Sequence, residues 1–331
     1  MAETESRRDG SCEQRVGGRR SFLRRMAAGS LAGAGAAWFA GSPASRAQAA
    51  ALSTSATAPS LPTITIGDKT VTRLIVGGNP LHGYSQPTRN IARHMEEYFT
   101  VERTAELLLH CEEVGIKTFQ TSYSDKVRDA LRLAWERGSK IQWICLTSGA
   151  SSHPSLEKVL ALKPIAFAHH GGVTDRLFRE GKAEEIHDFV KRNHDKGLVV
   201  GVSSHVPDHI RAVEEKGWEN DFFMTCFYNV VRTEEELKRD FGGVPVDNLS
   251  YFTSDPAAMT AVVRQSRKPC LGFKILAAGR LCWSHHSVEQ AFRYAFGNMK
   301  PTDGVIVGMY PRFEDEPQQN AGFTLKYGGI G

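Results

Sequence analysis

From about residue 63 to its end the chain alternates between two kinds of pattern. Eight short apolar runs of β character stand at VTRLIVGG, KTFQTS, IQWICLTS, PIAFAHH, LVVGVSS, DFFMTCFYN, PCLGFKI and GVIVGM. Helical patterns separate them. The runs are nearly continuous in apolar residues, as strands buried on both faces of a parallel sheet must be. Eight such strands alternating with helices over residues 63–331 fit a (β/α)₈ TIM barrel in number and length. A doubly wound sheet is the alternative, but no Gly-x-Gly-x-x-Gly follows the first run. Val76-Gly77-Gly78-Asn79 opens a long loop there instead of a helix. The clearest helix runs from a capping Thr100 through Glu102 and Arg103 to Gly115. Others are read near 126–137, 155–162, 179–196, 207–216, 232–240, 255–267 and 287–298.

The first fifty residues differ from the rest. They read GRRSFLRR, then MAAGSLAGAGAAWFAG, then SPASRAQAA. A basic region, a weakly apolar stretch and small residues at Ala47-Gln48-Ala49 make an export signal, with 51–62 as a Ser/Thr/Ala/Pro linker. Arg19-Arg20 before Ser21-Phe22-Leu23 resembles a twin-arginine signal. That implies a folded passage through the twin-arginine translocase to the periplasm or beyond. The apolar stretch is too short and too rich in Gly and Ala for a stable membrane span. This segment carries eight Arg and four acids, so of 41 basic and 37 acidic residues it leaves 33 of each. A neutral folded part gives no electrostatic footprint for nucleic acid. The six cysteines form no C-x-x-C pair; Cys145, Cys226 and Cys270 sit in apolar runs and read as packing residues.

In a barrel of this kind the site lies at the carboxyl ends of the strands. Those ends carry Asn79, His82 and Tyr84; Gln120, Ser122 and Tyr123; Thr147 and Ser148; His169 and His170; Ser203, Ser204 and His205; Tyr228 and Asn229; Lys274; Tyr310 and Arg312. The rim is rich in His, Ser, Asn and Tyr, with Lys274 its main cation and almost no carboxylate. His169 and His170 are adjacent on a strand, so only one faces the mouth. Histidines from neighbouring strands could bind a transition metal, but the carboxylates common in barrel metal sites are missing. His285-His286 and the charge runs EEELKRD and FEDEPQQ read as surface.

The order of these motifs resembles the aldo/keto reductases over residues 63–323. LIVGG, Gly115-Ile116, the His pair of AFAHHGG, Gly201-Val202-Ser203, Tyr228-Asn229, VIVGM and QQNAG fall where that family has its markers. The resemblance implies an enzyme that reduces a small polar carbonyl or sugar-like molecule with NADP(H). The family's acid-base set transfers only in part. Its Asp position holds Gln120, its Tyr position Asp125 and its Lys position Ser148; its His is His169 or His170. Tyr123 or Tyr84 is the substitute acid. On the cofactor side the resemblance assigns Ser203 and Ser204 to the carboxamide, Phe273 to stacking, Arg312 to a 2′-phosphate and Gln319-Asn320 to adenine.

Two other readings stay open. A tyrosine without Asp and Lys beside it is a feeble acid near neutral pH. The barrel would then be an isomerase, epimerase or lyase using His170, His205 and Lys274, with Lys274 as a base, a Schiff-base amine or a simple anion anchor. Loss of most of a catalytic set also fits a carbohydrate-binding barrel without turnover.

Overall fold

The structure, a computed structural model, describes residues 60–84, 88–147, 156–244 and 250–329. The expected export signal at 1–50, most of the expected linker at 51–62, and Ser148 lie outside the described residues. β1 (Thr63–Ile66) and β2 (Lys69–Thr72) form an antiparallel hairpin, with Ile66 opposite Lys69 across the Gly67-Asp68 turn. Gly67 takes φ 55 there, a conformation open to glycine without steric cost. The sequence pattern merges β2 with the first barrel strand; the structure separates them at Arg73. TITI-GD-KTVT is a readable hairpin signal that the longer apolar run hides.

The barrel strands are β3 (Leu74–Gly77), β4 (Thr118–Ser122), β5 (Gln142–Thr147), β6 (Ala166–His169), β7 (Val200–Ser204), β8 (Phe222–Cys226), β9 (Cys270–Phe273) and β10 (Gly304–Gly308). Each pairs in parallel with the next, and β10 returns to pair with β3, so the sheet closes. Each of the eight apolar runs holds one of these strands. The expected (β/α)₈ barrel is therefore the observed fold.

The helices are α1 (Arg89–Tyr98), α2 (Val101–Glu113), α3 (Asp125–Glu136), α4 (Leu156–Leu160), α5 (Gly171–Arg179), α6 (Glu184–His194), α7 (Pro207–Lys216), α8 (Glu234–Phe241), α9 (Asp255–Gln265), α10 (His285–Asn298) and α11 (Glu316–Tyr327). Thr100 caps α2 as expected, its Oγ1 accepting from Arg103 N at 3.2 Å. The helix expected over 179–196 is observed as the shorter α6, and α5 is a further helix before it, set off by Gly181, which turns left-handed (φ 70) between them. α1 replaces part of the expected loop; its short stripe of Ile91, Met95 and Tyr98 is never fully buried, with Met95 and Tyr98 resting on the core. His285 and His286 open α10 behind the capping Ser284 and do not lie in a loop.

Two apolar layers result. Inside the barrel, Ile75, Ile144, Ala166, Ala168, Phe222, Met224, Leu271 and Ile306 pack with Ile64, Ile66 and Val71 of the hairpin, which plugs the amino end. Outside, Trp143, Phe167, Val200, Val202 and Phe223 meet the helices, and Cys145 and Cys270 are buried among them, with Cys226 also buried. With the floor filled, the carboxyl end is the open one.

One buried cation ties the closure together. Arg73 donates Nε to Asp303 O (2.8 Å), Nη1 to Gly328 O (2.7 Å) and Nη2 to Lys300 O (3.0 Å). It thereby joins the hairpin, the loop before β10 and the end of α11. Lysine keeps the charge but cannot reproduce a three-way fork. Arg73→Lys is expected to lower the unfolding free energy in urea by about 3 kcal/mol; a loss under about 0.5 kcal/mol would contradict this account of the closure.

Candidate functional site

The strand pleat decides which rim residues meet at the mouth. On β6, Ala166 and Ala168 belong to the interior layer and Phe167 to the outer one. His170 therefore continues the inner face, and His169 points outward. His169 lies with its Nδ1 2.7 Å from Thr174 Oγ1 and its ring against Phe189. Burial, reinforced by His170, lowers its pKa to about 4. His169 is thus a neutral wall residue, which corrects its place among the candidate catalytic groups.

β7 shows the same division. A Cβ on Gly201 would sit 2.5 Å from the interior Phe222 ring, so Gly201, Ser203 and then His205 line the inner face. His205 meets Phe273 edge-on, ring centroids 5.5 Å apart. Gly171, the first residue of α5, comes close here: a Cβ on it would stand 2.9 Å from Ser203 Oγ and 3.2 Å from His205 Cε1. Ser204 faces the other way. Its Oγ donates to Asp175 Oδ1 at 2.5 Å behind the wall, so it cannot serve a carboxamide at the mouth.

Asp175 is the residue the sequence reading missed. It lies on α5, only 1% exposed, and accepts from Ser204 Oγ, from His205 N, from His205 Nδ1 (2.7 Å) and from His209 Nδ1 (3.0 Å). Burial pushes this carboxyl up, but the hydrogen bonds from His205 and His209 outweigh that and hold it well below the usual carboxylate range. A signal for it existed. Gly171, Thr174, Asp175 and Phe178 follow i, i+3, i+4, i+7, which puts a carboxylate on the inward stripe of its helix. Burial of a lone charge is costly enough that such a residue needs partners.

The other half of the mouth holds a cavity of about 280 Å³ between β3, β4, β9 and β10. Gln120, Phe273, Lys274, Asn79 and Tyr310 line it. Gln120 is buried, and its Nε2 has no hydrogen-bond partner among the described residues. Three non-glycine residues of the loop after β9 are left-handed: Lys274 (φ 59), Ala277 (φ 49) and Ala278 (φ 51). Such backbone costs about 1 kcal/mol or more per residue. Here it is held by turns such as Ala277 N to Lys274 O at 2.8 Å, and it brings Lys274, Leu276 and Cys282 to the cavity.

A second hollow of about 230 Å³ continues outward under Trp283, Phe313 and α11. It shares Leu276, Cys282, Tyr310 and Glu316 with the first. Glu316 accepts from Tyr310 N at 2.7 Å, and burial raises its pKa. It corrects the reading of FEDEPQQ as wholly solvated and adds a carboxylate to a rim expected to have almost none. Asn320 is buried and lines this hollow beside Gln319. Arg312 lines neither space; its guanidinium lies over the Tyr98 ring at 5.5 Å. Tyr123 also lines neither, and its hydroxyl donates to Asp125 Oδ1 at 3.3 Å on the first turn of α3. Tyr84 is 71% exposed and stacks on His82. Among the described residues no group of three or more His, Cys, Asp or Glu is arranged to hold a metal ion.

No family model and no curated protein matches the chain. Among solved structures it is similar to a glycerol dehydrogenase from Gluconobacter oxydans (11% identity, TM-score 0.44), covering 81% of this chain and 90% of that one. It is also similar to Gox0644 in its apo form (11% identity, TM-score 0.47, 82% and 97% covered). A third is ATU3138 from Agrobacterium tumefaciens, also apo (12% identity, TM-score 0.36, 68% and 77% covered). Similarity at this level carries no functional argument, and the barrel stands on its own strand pairing.

The two buried groups make stability depend on pH in one direction. His169 prefers its neutral form when folded, so its contribution is full above pH 6.5 and is lost as pH falls toward 4. That amounts to about 3 kcal/mol. Asp175, lowered from 3.8, adds a loss only below that value. Urea unfolding at pH 7, 5.5 and 4 is expected to show the decline, and His169→Gln is expected to flatten it. An unchanged slope in that variant would locate the dependence elsewhere.

Proposed function

We propose that the chain is an oxidoreductase of the aldo/keto reductase type, exchanging a hydride between a nicotinamide dinucleotide and a small polar carbonyl compound or sugar-like alcohol. The observation that carries this reading is the continuous groove. It runs from Gln120 and Phe273 inside the mouth, past Lys274 and Leu276, to Asn320 on α11. An extended ligand with a ring at each end matches that path. The order of sequence motifs supports the same reading.

The residues along the groove fit such a ligand. Gln120 Nε2 is a buried donor with no acceptor among the described residues, and a carboxamide oxygen would complete it. Phe273 offers an apolar face at the cavity wall. Lys274 is the cation beside the path of the phosphates. Bound there, the nicotinamide supplies or takes up the hydride. The substrate then occupies the half of the mouth under His170, Ser203 and His205, against which the Gly171 backbone packs closely.

The outer hollow bears on the choice of dinucleotide. Its described lining has Glu314 and Glu316 and neither Lys nor Arg. Carboxylates accept hydrogen bonds from ribose hydroxyls and repel a 2′-phosphate. The sequence reading gives Arg312 to that phosphate; over Tyr98 it is turned away from the hollow. NAD(H) is therefore the expected partner in preference to NADP(H). The leader adds the proposal that the folded chain works in the periplasm or outside the cell.

Fluorescence titration with NADH and NADPH tests this. NADH is expected to bind with a micromolar Kd and NADPH about tenfold more weakly, a difference of about 1.4 kcal/mol. Glu314→Lys is expected to narrow that gap. Failure to bind either dinucleotide would remove the oxidoreductase reading. The non-redox alternative is favoured by one observation, the absence of Tyr123 from the mouth with Lys274 present there. Borohydride trapping of a carbonyl compound on Lys274 would establish its Schiff-base form.

A further inference from the structure

We propose that His205 is the proton donor and acceptor of this site, and that Asp175 is the residue that positions it. The assignment concerns proton transfer alone and holds for either a hydride acceptor or a non-redox substrate.

The argument begins with donors and acceptors. An ionised carboxylate only accepts hydrogen bonds. Asp175 sits between two imidazoles, with Oδ2 2.7 Å from His205 Nδ1 and Oδ1 3.0 Å from His209 Nδ1. Both rings must therefore carry a proton on Nδ1 toward it. The tautomer of His205 is fixed by this, and its Nε2 keeps a lone pair. Ser204 Oγ and the backbone N–H of His205 complete the shell of the carboxylate. Four donors, three of them from the adjacent Ser204 and His205, leave Asp175 little freedom to turn.

The ring of His205 is held as firmly as its tautomer. Phe273 meets it edge-on at 5.5 Å, and Gly171 lies against Cε1 on another side. Its side chain is 12% exposed, enough for a small molecule to reach and too little for bulk water to surround. Phe273 is also a wall of the cavity, so the ring that meets His205 on one side borders the proposed dinucleotide space on the other. Behind His205 stands a buried carboxylate, and such an orienter is what makes an imidazole a directed base.

The step is simple in its balance. Imidazolium at His205 gives its Nε2 proton to a substrate oxygen, the O–H bond forming as the N–H bond breaks. The Nδ1 proton stays on the ring, shared with Asp175, and water restores the other. In reverse, Nε2 takes the proton of a hydroxyl. No electrons are transferred in this step.

His209 has a separate place. It stacks on Phe178, ring centroids 4.4 Å apart, and lines a lateral hollow with Arg179, Asn229 and Glu236. It supports the carboxylate from outside the mouth.

Long-range ¹H–¹⁵N imidazole spectra of the full chain read the tautomer directly. His205 is expected as Nδ1–H with an unprotonated Nε2 in the neutral ring. Asp175→Asn is expected to convert it to Nε2–H, because the new amide donates where the carboxylate accepted. Diethyl pyrocarbonate is expected to modify His205 under conditions that modify the exposed His285 and His286. Turnover of carbonyl compounds with NADH is expected to fall about 10²- to 10⁴-fold in His205→Gln, with NADH affinity within about threefold of the original. An Nε2–H tautomer in the unaltered chain, or no modification of His205, overturns the proposal, and neither needs a variant to fold. If no dinucleotide binds, the oxidoreductase reading fails while the tautomer and modification results still decide this one.

Discussion

The closed sheet is the constraint on which everything else rests. Once β10 pairs with β3, every barrel strand has both neighbours and two covered faces. Side chains on the inner face meet Ile75, Phe222, Leu271 and the hairpin plug; those on the outer face meet helices. Polar groups can escape both layers only where the strands end. A one-residue shift in any strand would exchange the two sets completely. For that reason neighbouring residues such as His169 and His170, or Ser203 and Ser204, have unrelated environments.

The mouth is divided electrostatically by this arrangement. The half beneath β6 and β7 presents imidazoles backed by a buried carboxylate. The half beneath β9 and β10 presents a groove with Lys274 at its inner end and Glu314 and Glu316 at its outer end. Phe273 stands between the halves, touching His205 on one side and the cavity on the other. On the proposed reading, proton chemistry and cofactor seating fall to different strands, and the left-handed backbone at Lys274, Ala277 and Ala278 lies on the cofactor side.

Much of this was legible in the sequence for physical reasons. Long apolar runs require burial on both faces, so all eight barrel strands could be read. The site could be read only as far as the strand ends. Gln120, Phe273 and Lys274 were found because they close or follow strands. Asp175 was missed because it lies five residues beyond His170, on a helix, where a charge is ordinarily solvated. Glu316 was missed for the same reason within an acidic run. His169, Ser204, Tyr123 and Arg312 were placed by analogy of position, and what decides them is where each side chain turns. Phase along a strand can be counted, but a residue one step past its end, such as Tyr123, follows the local turn instead.

The departures from the aldo/keto reductase pattern are coherent with the proposed pair. A phenol needs neighbouring charge to give up a proton near neutral pH, which is why a tyrosine acid depends on lysine and carboxylate close by. Imidazole changes charge in that range without such help and needs only a fixed direction. With Gln120 and Asp125 where the resembled pattern has a carboxylate and a tyrosine, the first arrangement is not available. This leaves the second untouched, because Asp175 acts from the helix layer behind the strands and not from the mouth itself. A site that had merely decayed would have no reason to retain a buried carboxylate with four donors converging on it. Unpaired, that charge would destabilise the barrel wall; paired as it is, it aims one imidazole inward and one outward, and only the inward one meets the ring that walls the cavity.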